Sequence, residues 1–367
     1  MKQKINRVII SGGGTGGHIF PALSIAGEIK RRNGDAEILF VGALGRMEME
    51  KVPAAGYKII GLPVMGFPRK PSPKLFTFFR KLMQSSKIAR EIVRDFKPDV
   101  AIGVGGYASG PLLRAAARYR TPTLIQEQNS YAGITNKLLS KKVDTICVAY
   151  GKMERYFPEK KIVFTGNPVR KNLIQKIDKK KALEFFKLKK EDKIVLIIGG
   201  SLGARSINQS VLKNRKEIEN SGVQVIWQTG AIYYERIMND LKDKMPENLQ
   251  VHQFINQMDL AYAVADLVIS RAGAGTISEL CLVGKTSILV PSPNVAEDHQ
   301  TKNALALVEK DAALMVPDNE IDTKLFPLAF KTVKDKVRCK GLSEKIKTLA
   351  KPDATKAIVD EVEKLLR

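Results

Sequence analysis

Short runs of β-branched and aliphatic residues alternate along the whole chain with longer stretches in which apolar positions recur every three or four residues. Runs of the first kind make strands buried on both faces and stretches of the second make amphipathic helices, so the alternation predicts βαβ units around parallel sheets. The predicted strands of the first half are 7–11, 37–41, 100–104, 123–126 and 145–148. The pattern restarts at 193–198 and continues through 223–228, 249–254, 267–270 and 286–290. Two sheets follow, and with them two doubly wound α/β domains. Between the halves, Thr165-Gly-Asn-Pro-Val-Arg170 reads as a turn, and the Lys-rich stretch 176–190 reads as a linker leading into a solvated helix. The boundary is placed at Gly166, giving domains of residues 1–166 and 167–352. The tail repeats Ile358, Val362 and Leu365 on one helical face, a pattern that suits packing on either domain.

Composition narrows the function. A chain of 367 residues with 44% hydrophobic and 27% charged residues is globular and exceeds one ordinary core. Its net charge of +23 calls for an anionic partner: nucleic acid, phospholipid or a phosphorylated substrate. Nucleic acid is set aside, because no helix-turn-helix, zinc or RNP-type pattern accompanies the charge. Cys147, Cys281 and Cys339 are too scattered for a disulfide framework or a CxxC pair, which suits a reducing compartment. The N-terminal residues run directly into the first strand without a leader pattern, and no apolar run reaches the length of a membrane span. A cytoplasmic protein with peripheral membrane contact is expected.

The chemistry concentrates in glycine loops that follow strands. Gly12-Gly-Gly-Thr-Gly-Gly17 fits GxGxxG between the first strand and a helix expected at 21–31. A nicotinamide cofactor would also need an acidic residue after the second strand, where Phe40-Val-Gly-Ala43 has none; a Walker A loop would need Gly-Lys-Ser/Thr in place of Gly16-Gly-His18. Gly105-Gly-Tyr-Ala-Ser-Gly110 and Gly199-Gly-Ser-Leu-Gly203 also follow strands. Ligands of doubly wound folds bind at those strand ends, so loops from both domains predict a cleft with anion-binding walls. In Ser270-Arg-Ala-Gly-Ala-Gly-Thr-Ile-Ser-Glu279 a helix starting near Gly275 offers N–H groups to a diphosphate, and Glu279, one turn further on, offers a carboxylate to ribose hydroxyls. That is the pattern of a nucleoside-diphosphate site.

Taken in order, Gly12 to Pro21, Gly105 to Pro111, Gln126-Glu-Gln-Asn129, Gly166-Asn-Pro-Val-Arg170, Gly199 to Ala204, and Ser270 to Glu279 with Asp298-His-Gln300 resemble the MurG family of N-acetylglucosaminyltransferases. The resemblance implies a GT-B fold, two Rossmann-like doubly wound domains facing across a cleft that holds the active site, in which the C-terminal helix, 353–367, returns to the first domain. It implies an inverting transfer of N-acetylglucosamine from UDP-GlcNAc to the 4-hydroxyl of the muramoyl sugar of lipid I, giving the β-1,4 linkage of lipid II in peptidoglycan synthesis. No tightly bound cofactor and no fixed metal are expected, and the chain has no Asp-x-Asp motif. Carried over by motif, Ala274, Gly275, Thr276, Ile277 and Ser278 hold the diphosphate, Ser201 a phosphate oxygen and Glu279 the ribose; Ile255 meets uracil through its backbone, with Arg170 nearby. Thr15, Gly16, Gly17, Asn129 and Gln300 contact the transferred sugar, while Gly13, Gly14, Gly105, Gly106, Tyr107 and Ser109 form the acceptor-diphosphate loops. Another GT-B glycolipid transferase, acting on diacylglycerol, is the alternative, and the Gly12 to Pro21 loop argues against it.

The transfer needs a base. His18 is the candidate, since the positive end of the helix dipole favours the neutral imidazole; Glu127 is the second choice. The remaining charge sits between Gly66 and Arg90, a stretch rich in Lys and Arg and without an acid. There Lys74, Arg80 and Lys81 mix with Leu75, Phe76, Phe79 and Leu82, the make-up of an interfacial element on anionic phospholipid. The resemblance places it at the cytoplasmic face of the cell membrane, with other proteins of cell-wall synthesis as further partners.

Overall fold

The computed structural model describes residues 4–66, 74–169, 173, 177–189, 191–200 and 202–366. It divides into two compact units, Met1–Val169 with Pro352–Arg367, and Arg170–Lys351.

The first unit runs β1 (Arg7–Ser11), α1 (Gly16–Arg32), β2 (Glu37–Ala43), α2 (Glu48–Ala54), β3 (Lys58–Leu62), α3 (Lys74–Phe96), β4 (Val100–Gly103), α4 (Ser109–Arg118), β5 (Thr123–Glu127), α5 (Ile134–Leu139), β6 (Thr145–Val148) and β7 (Ile162–Phe164). Its strands lie parallel in the order β3-β2-β1-β4-β5-β6-β7. The chain winds outward from β1 to β3 and then returns to place β4 on the other side of β1. The C-terminal ends of β1 and β4 are therefore the topological switch point, and the glycine loops Gly12–Gly17 and Gly105–Gly110 begin there.

The second unit runs α6 (Lys179–Phe185), β8 (Lys193–Ile198), α7 (Arg205–Lys213), α8 (Arg215–Glu219), β9 (Val223–Gln228), α9 (Ala231–Leu241), β10 (Leu249–His252), α10 (Met258–Val264), β11 (Leu267–Ser270), α11 (Ala274–Val283), β12 (Thr286–Leu289), α12 (His299–Val308), β13 (Leu314–Met315), α13 (Ile321–Lys334) and α14 (Lys336–Thr348). Its parallel sheet has the order β10-β9-β8-β11-β12-β13, with the switch point between β8 and β11. Those two strands lead into the Gly199 loop and the Ser270–Glu279 segment.

Each sheet is covered on both faces, so β4, β5, β11 and β12 are buried at every residue. Among the described residues, the pattern of apolar runs finds ten of the thirteen strands. The three it misses, β3, β7 and β13, all lie at sheet edges, where one side is wet and the apolar run is broken or short.

The tail forms α15 (Ala354–Lys364) and packs on the first unit. Ile358, Val359 and Val362 are fully buried with Val8, Ile10, Ile25 and Ile29. Burying three such side chains contributes roughly 5 to 9 kcal/mol before entropy is counted. Arg32 adds a polar clasp, with Nη1 2.7 Å from Asp360 and 2.9 Å from Glu363 and Nε 3.1 Å from the buried Glu28. Hydrogen bonds from Arg31 and Arg32, and their charges, hold the Glu28 carboxyl down at about 2. All three cysteines are free, and burial pushes the Cys147 and Cys281 thiols up.

Candidate active site

In the first unit the two glycine loops interlock. A Cβ on Gly106, whose φ is +85°, would stand 2.6 Å from the Gly13 carbonyl oxygen, so only glycine allows this approach of backbone to backbone. Beneath Gly13 lies Glu48, fully buried at the start of α2. It accepts the N–H of Gly14 at 2.8 Å and that of Ala43 at 2.9 Å, fixing the loop from below. Thr15 is the N-cap of α1, and its carbonyl accepts from His18 and Ile19. Gly16 and Gly17 form the first turn, whose N–H groups have no partner within the helix. The helix thus starts in the glycine loop itself, five residues before Pro21, where it was expected.

His18 is half-buried, and its Nδ1 stands 2.9 Å from Gln128 Oε1. Gln128 donates through Nε2 to the carbonyls of Val104 and Gln126 at 2.9 and 3.1 Å and to Gln126 Oε1, which turns its own oxygen toward the histidine. Nδ1 therefore carries the proton and donates, so that in the neutral ring the lone pair falls on Nε2. Gln126 in turn donates to Asn167 Oδ1 at 2.9 Å, and Asn167 donates to the Gln128 carbonyl at 3.0 Å, so the Gln-Glu-Gln-Asn and Gly-Asn-Pro motifs form one network.

Glu127 is placed as a clamp rather than as a solvent-facing proton acceptor. It is 2% exposed; one oxygen accepts Asn129 N–H and Nδ2, and the other accepts Gly133 N–H and Asn136 Nδ2. Asn129, held this way, remains half-buried. Ser109 turns inward rather than presenting its hydroxyl to a ligand, donating to the carbonyls of Gly105 and Ser11. Tyr107 is exposed.

In the second unit, Gly203 sits so close to the Thr229 carbonyl that a Cβ would meet it at 1.9 Å, which folds the loop tightly over the end of β9. Gln228, buried at that strand end, donates to the Gly200 carbonyl at 3.1 Å and accepts the Ile255 N–H at 2.9 Å. The Ile255 N–H is thus already engaged, which narrows a backbone contact to its carbonyl. A pocket of about 330 Å³ beside Ile255 is lined by Phe185, Phe186, His252, Phe254 and Gln257, among others.

Helix α11 starts after Gly273 with no side-chain cap and no acid in its first turn, so its N–H groups and positive dipole end are not neutralised locally. Ala274 and Ile277 bury their side chains, Ser278 donates back to the Ala274 carbonyl at 2.9 Å, and Gly275 and Thr276 are half-buried. Glu279 receives the Tyr262 hydroxyl on Oε2 at 3.1 Å. Arg271 braces the segment, donating to the carbonyls of Val290 and Pro291, to Asp318 and to Ser206. Gln300 Oε1 accepts the Ser292 N–H at 2.9 Å. Ser201 and Arg170 lie outside the described residues.

On α3, Phe76, Phe79, Arg80, Met83, Lys87 and Arg90 are exposed, with both Phe rings at 50% or more; Leu75, Lys81 and Leu82 are half-buried. The Lys74 side chain and residues 67–73 lie outside the described residues. Among the described residues no helix is long and apolar enough to cross a membrane, and no group of His, Cys, Asp or Glu is placed to hold a metal ion.

Residues 8–148 match the model of the glycosyltransferase family 28 N-terminal domain, and residues 194–358 match that of the glycosyltransferase family 28 C-terminal domain. The chain belongs to glycosyltransferase family 28. Family members similar over nearly full length include the UDP-N-acetylglucosamine–N-acetylmuramyl-(pentapeptide) pyrophosphoryl-undecaprenol N-acetylglucosamine transferases of Parabacteroides distasonis, 58% identical over 98% of both chains, and of Bacteroides fragilis, 58% identical over 98% of this chain and 95% of that one. Among solved structures, MurG of Acinetobacter baumannii is 28% identical with a TM-score of 0.79, covering 98% of this chain and 99% of that one. The fold is GT-B. A UDP-GlcNAc 2-epimerase from Neisseria meningitidis, 15% identical with a TM-score of 0.66 over 98% of this chain and all of that one, shares the fold.

Proposed function

We propose that this family 28 enzyme transfers N-acetylglucosamine from UDP-GlcNAc to lipid I, the undecaprenyl-diphosphate-linked muramoyl-pentapeptide, and so makes lipid II. The observation that carries the chemistry is the presence of anion-binding turns at the switch point of each unit: the Gly12 and Gly105 loops in one, the Gly199 loop and the α11 N-terminus in the other. Relatives named for this reaction match over 98% of the chain, which supports the assignment of substrates.

The second unit carries the donor. Glu279 accepts the ribose hydroxyls, the Ile255 carbonyl meets the base, and Gln300 offers its Nε2 donors to the sugar. N–H groups at the start of α11 take the charge that grows on the diphosphate as the glycosidic bond breaks. The first unit carries the acceptor, with the Gly13–Gly14 and Gly105–Gly106 loops at its diphosphate. His18 Nε2 accepts the proton of the muramoyl 4-hydroxyl as that oxygen attacks the anomeric carbon; one C–O bond forms, the bond to UDP breaks, and the configuration inverts. Glu127 holds the 127–136 loop in place for Asn129 and Gln128.

The α3 face supports peripheral docking on the anionic cytoplasmic leaflet. Each cation near such a surface contributes about 1 kcal/mol, and Phe76 and Phe79 add apolar area to Arg80, Lys87 and Arg90. The direct test is transfer of labelled sugar from UDP-GlcNAc to a short-chain lipid I analogue, with UDP-glucose and diacylglycerol as control arms. Transfer confined to the muramoyl acceptor is expected; transfer to diacylglycerol alone would overturn the assignment.

A further inference from the structure

Tyr262 lies on α10, 1% exposed, with its ring in the apolar cluster of Ile194, Val268, Ile277 and Leu280. Nothing in an apolar cluster requires a phenol where phenylalanine would fill the space. Its hydroxyl is directed at Glu279 Oε2, 3.1 Å away. A buried hydroxyl needs a partner, and here that partner is a carboxylate at the nucleotide site, on a neighbouring helix.

We propose that Tyr262 is a positioning residue of the donor site, holding Glu279 ready for the nucleotide ribose; this rests on the reading of Glu279 as the ribose acceptor. A glutamate side chain has three rotatable bonds, and anchoring Oε2 selects the rotamer in which the carboxylate is held for the ribose hydroxyls. The anchor also has a place in a longer relay. Gln228 joins the Gly200 carbonyl to the Ile255 N–H, α10 begins three residues after Ile255, and Tyr262 on that helix holds Glu279. The parts that meet phosphate, base and ribose are thereby set relative to one another before the nucleotide arrives, which lowers the ordering cost of binding.

The test is a double-mutant cycle on the full chain, with Tyr262→Phe, Glu279→Ala and the pair, read by calorimetric binding of UDP and of 2′-deoxy-UDP and by steady-state kinetics. Tyr262→Phe removes one oxygen and keeps the ring, and thermal unfolding of each variant reports whether the fold is retained. Weakening of UDP binding by about fivefold is expected, the scale of one anchoring hydrogen bond lost. The preference for UDP over 2′-deoxy-UDP should shrink with it, kcat at saturating donor should stay within about twofold, and the substitution should add nothing once Glu279 is alanine. Unchanged binding in Glu279→Ala would overturn the ribose reading and the proposal together. Weakened binding in Glu279→Ala with parental binding in Tyr262→Phe would leave the ribose reading standing and overturn the role of Tyr262. Equal weakening by Tyr262→Phe in both backgrounds would overturn it too, by showing that the residue acts through packing alone.

Discussion

Replacing Gln128 with methionine isolates the orientation of the base from its identity. Methionine keeps the length and apolar volume of the side chain and removes every polar contact. Gln128 is 2% exposed, and its Nε2 serves the Val104 and Gln126 carbonyls while its Oε1 receives His18 Nδ1. Two buried carbonyls lose a donor, at about 1 to 3 kcal/mol each, so stability of the first unit should fall by about 2 to 6 kcal/mol. His18 loses the partner that fixes its tautomer and ring plane. A positioned base contributes about 10²- to 10⁴-fold, and losing its orientation forfeits part of that, so kcat should fall about 10- to 100-fold. The KM for UDP-GlcNAc should stay within about twofold, because the residues assigned to donor ribose, diphosphate and base belong to the other unit. The assay is steady-state transfer to a lipid I analogue, with urea unfolding to read stability. His18→Ala sets the ceiling, and the double variant should be no slower than His18→Ala. A parental kcat in Gln128→Met beside a large loss in His18→Ala would refute the orienting role; multiplicative losses in the double variant would show that Gln128 acts elsewhere.

Three further outcomes test other parts of the structure. Changing Phe76 and Phe79 to serine and Arg80 and Lys87 to glutamine should abolish cosedimentation with anionic liposomes at low salt while leaving transfer to a water-soluble acceptor within about twofold; undiminished sedimentation would remove the docking assignment. Glu28 is held at about 2 against an ordinary 4.5, so its contribution is complete above pH 4.5 and is lost as pH falls toward 2. Glu28→Gln should therefore destabilise the protein at pH 7 and leave less stability to lose on acidification, read from urea midpoints at pH 7 and pH 3. Gly106→Ala should cost at least about 1 to 2 kcal/mol for its positive φ, with a backbone contact against Gly13 on top; Gly200→Ala, with φ of +84° and open space around it, should show the first cost alone in the same urea titration.

The central strands and all the glycine loops can be read from the chain because both leave local signatures: an uninterrupted apolar run, and glycines placed just after it. The edge strands are harder to see because Lys58-Ile-Ile-Gly-Leu62 is half-exposed and Leu314-Met315 is only two residues long. The candidate site divides in the same way. Residues inside motifs, such as His18, Glu279 and Gln300, stand out by their company. Glu48 does not: it lies two residues from the exposed Glu50 in a helix that looks solvated, and only tertiary packing tells the loop's support from an ordinary surface acid. Tyr262 and Gln228 are likewise inconspicuous, since a tyrosine in a helix and a glutamine ending a strand acquire their roles only from what lies across from them. Glu127 is the opposite case, prominent in its motif but committed in space to holding a loop.

The position of α15 has a consequence for biosynthesis. The first unit needs Ile358, Val359 and Val362 to close its core over Val8, Ile10 and Ile25, yet the 182 residues of Arg170–Lys351 are translated in between. At about 5 to 20 residues per second that interval is about 10 to 40 seconds. Throughout it, the nascent first unit carries an open apolar face on the ribosome while the second unit emerges and folds as an insertion. The N-terminal unit is first to be synthesised and last to be finished, and a ribosome stalled before residue 354 would hold a chain with an uncovered core.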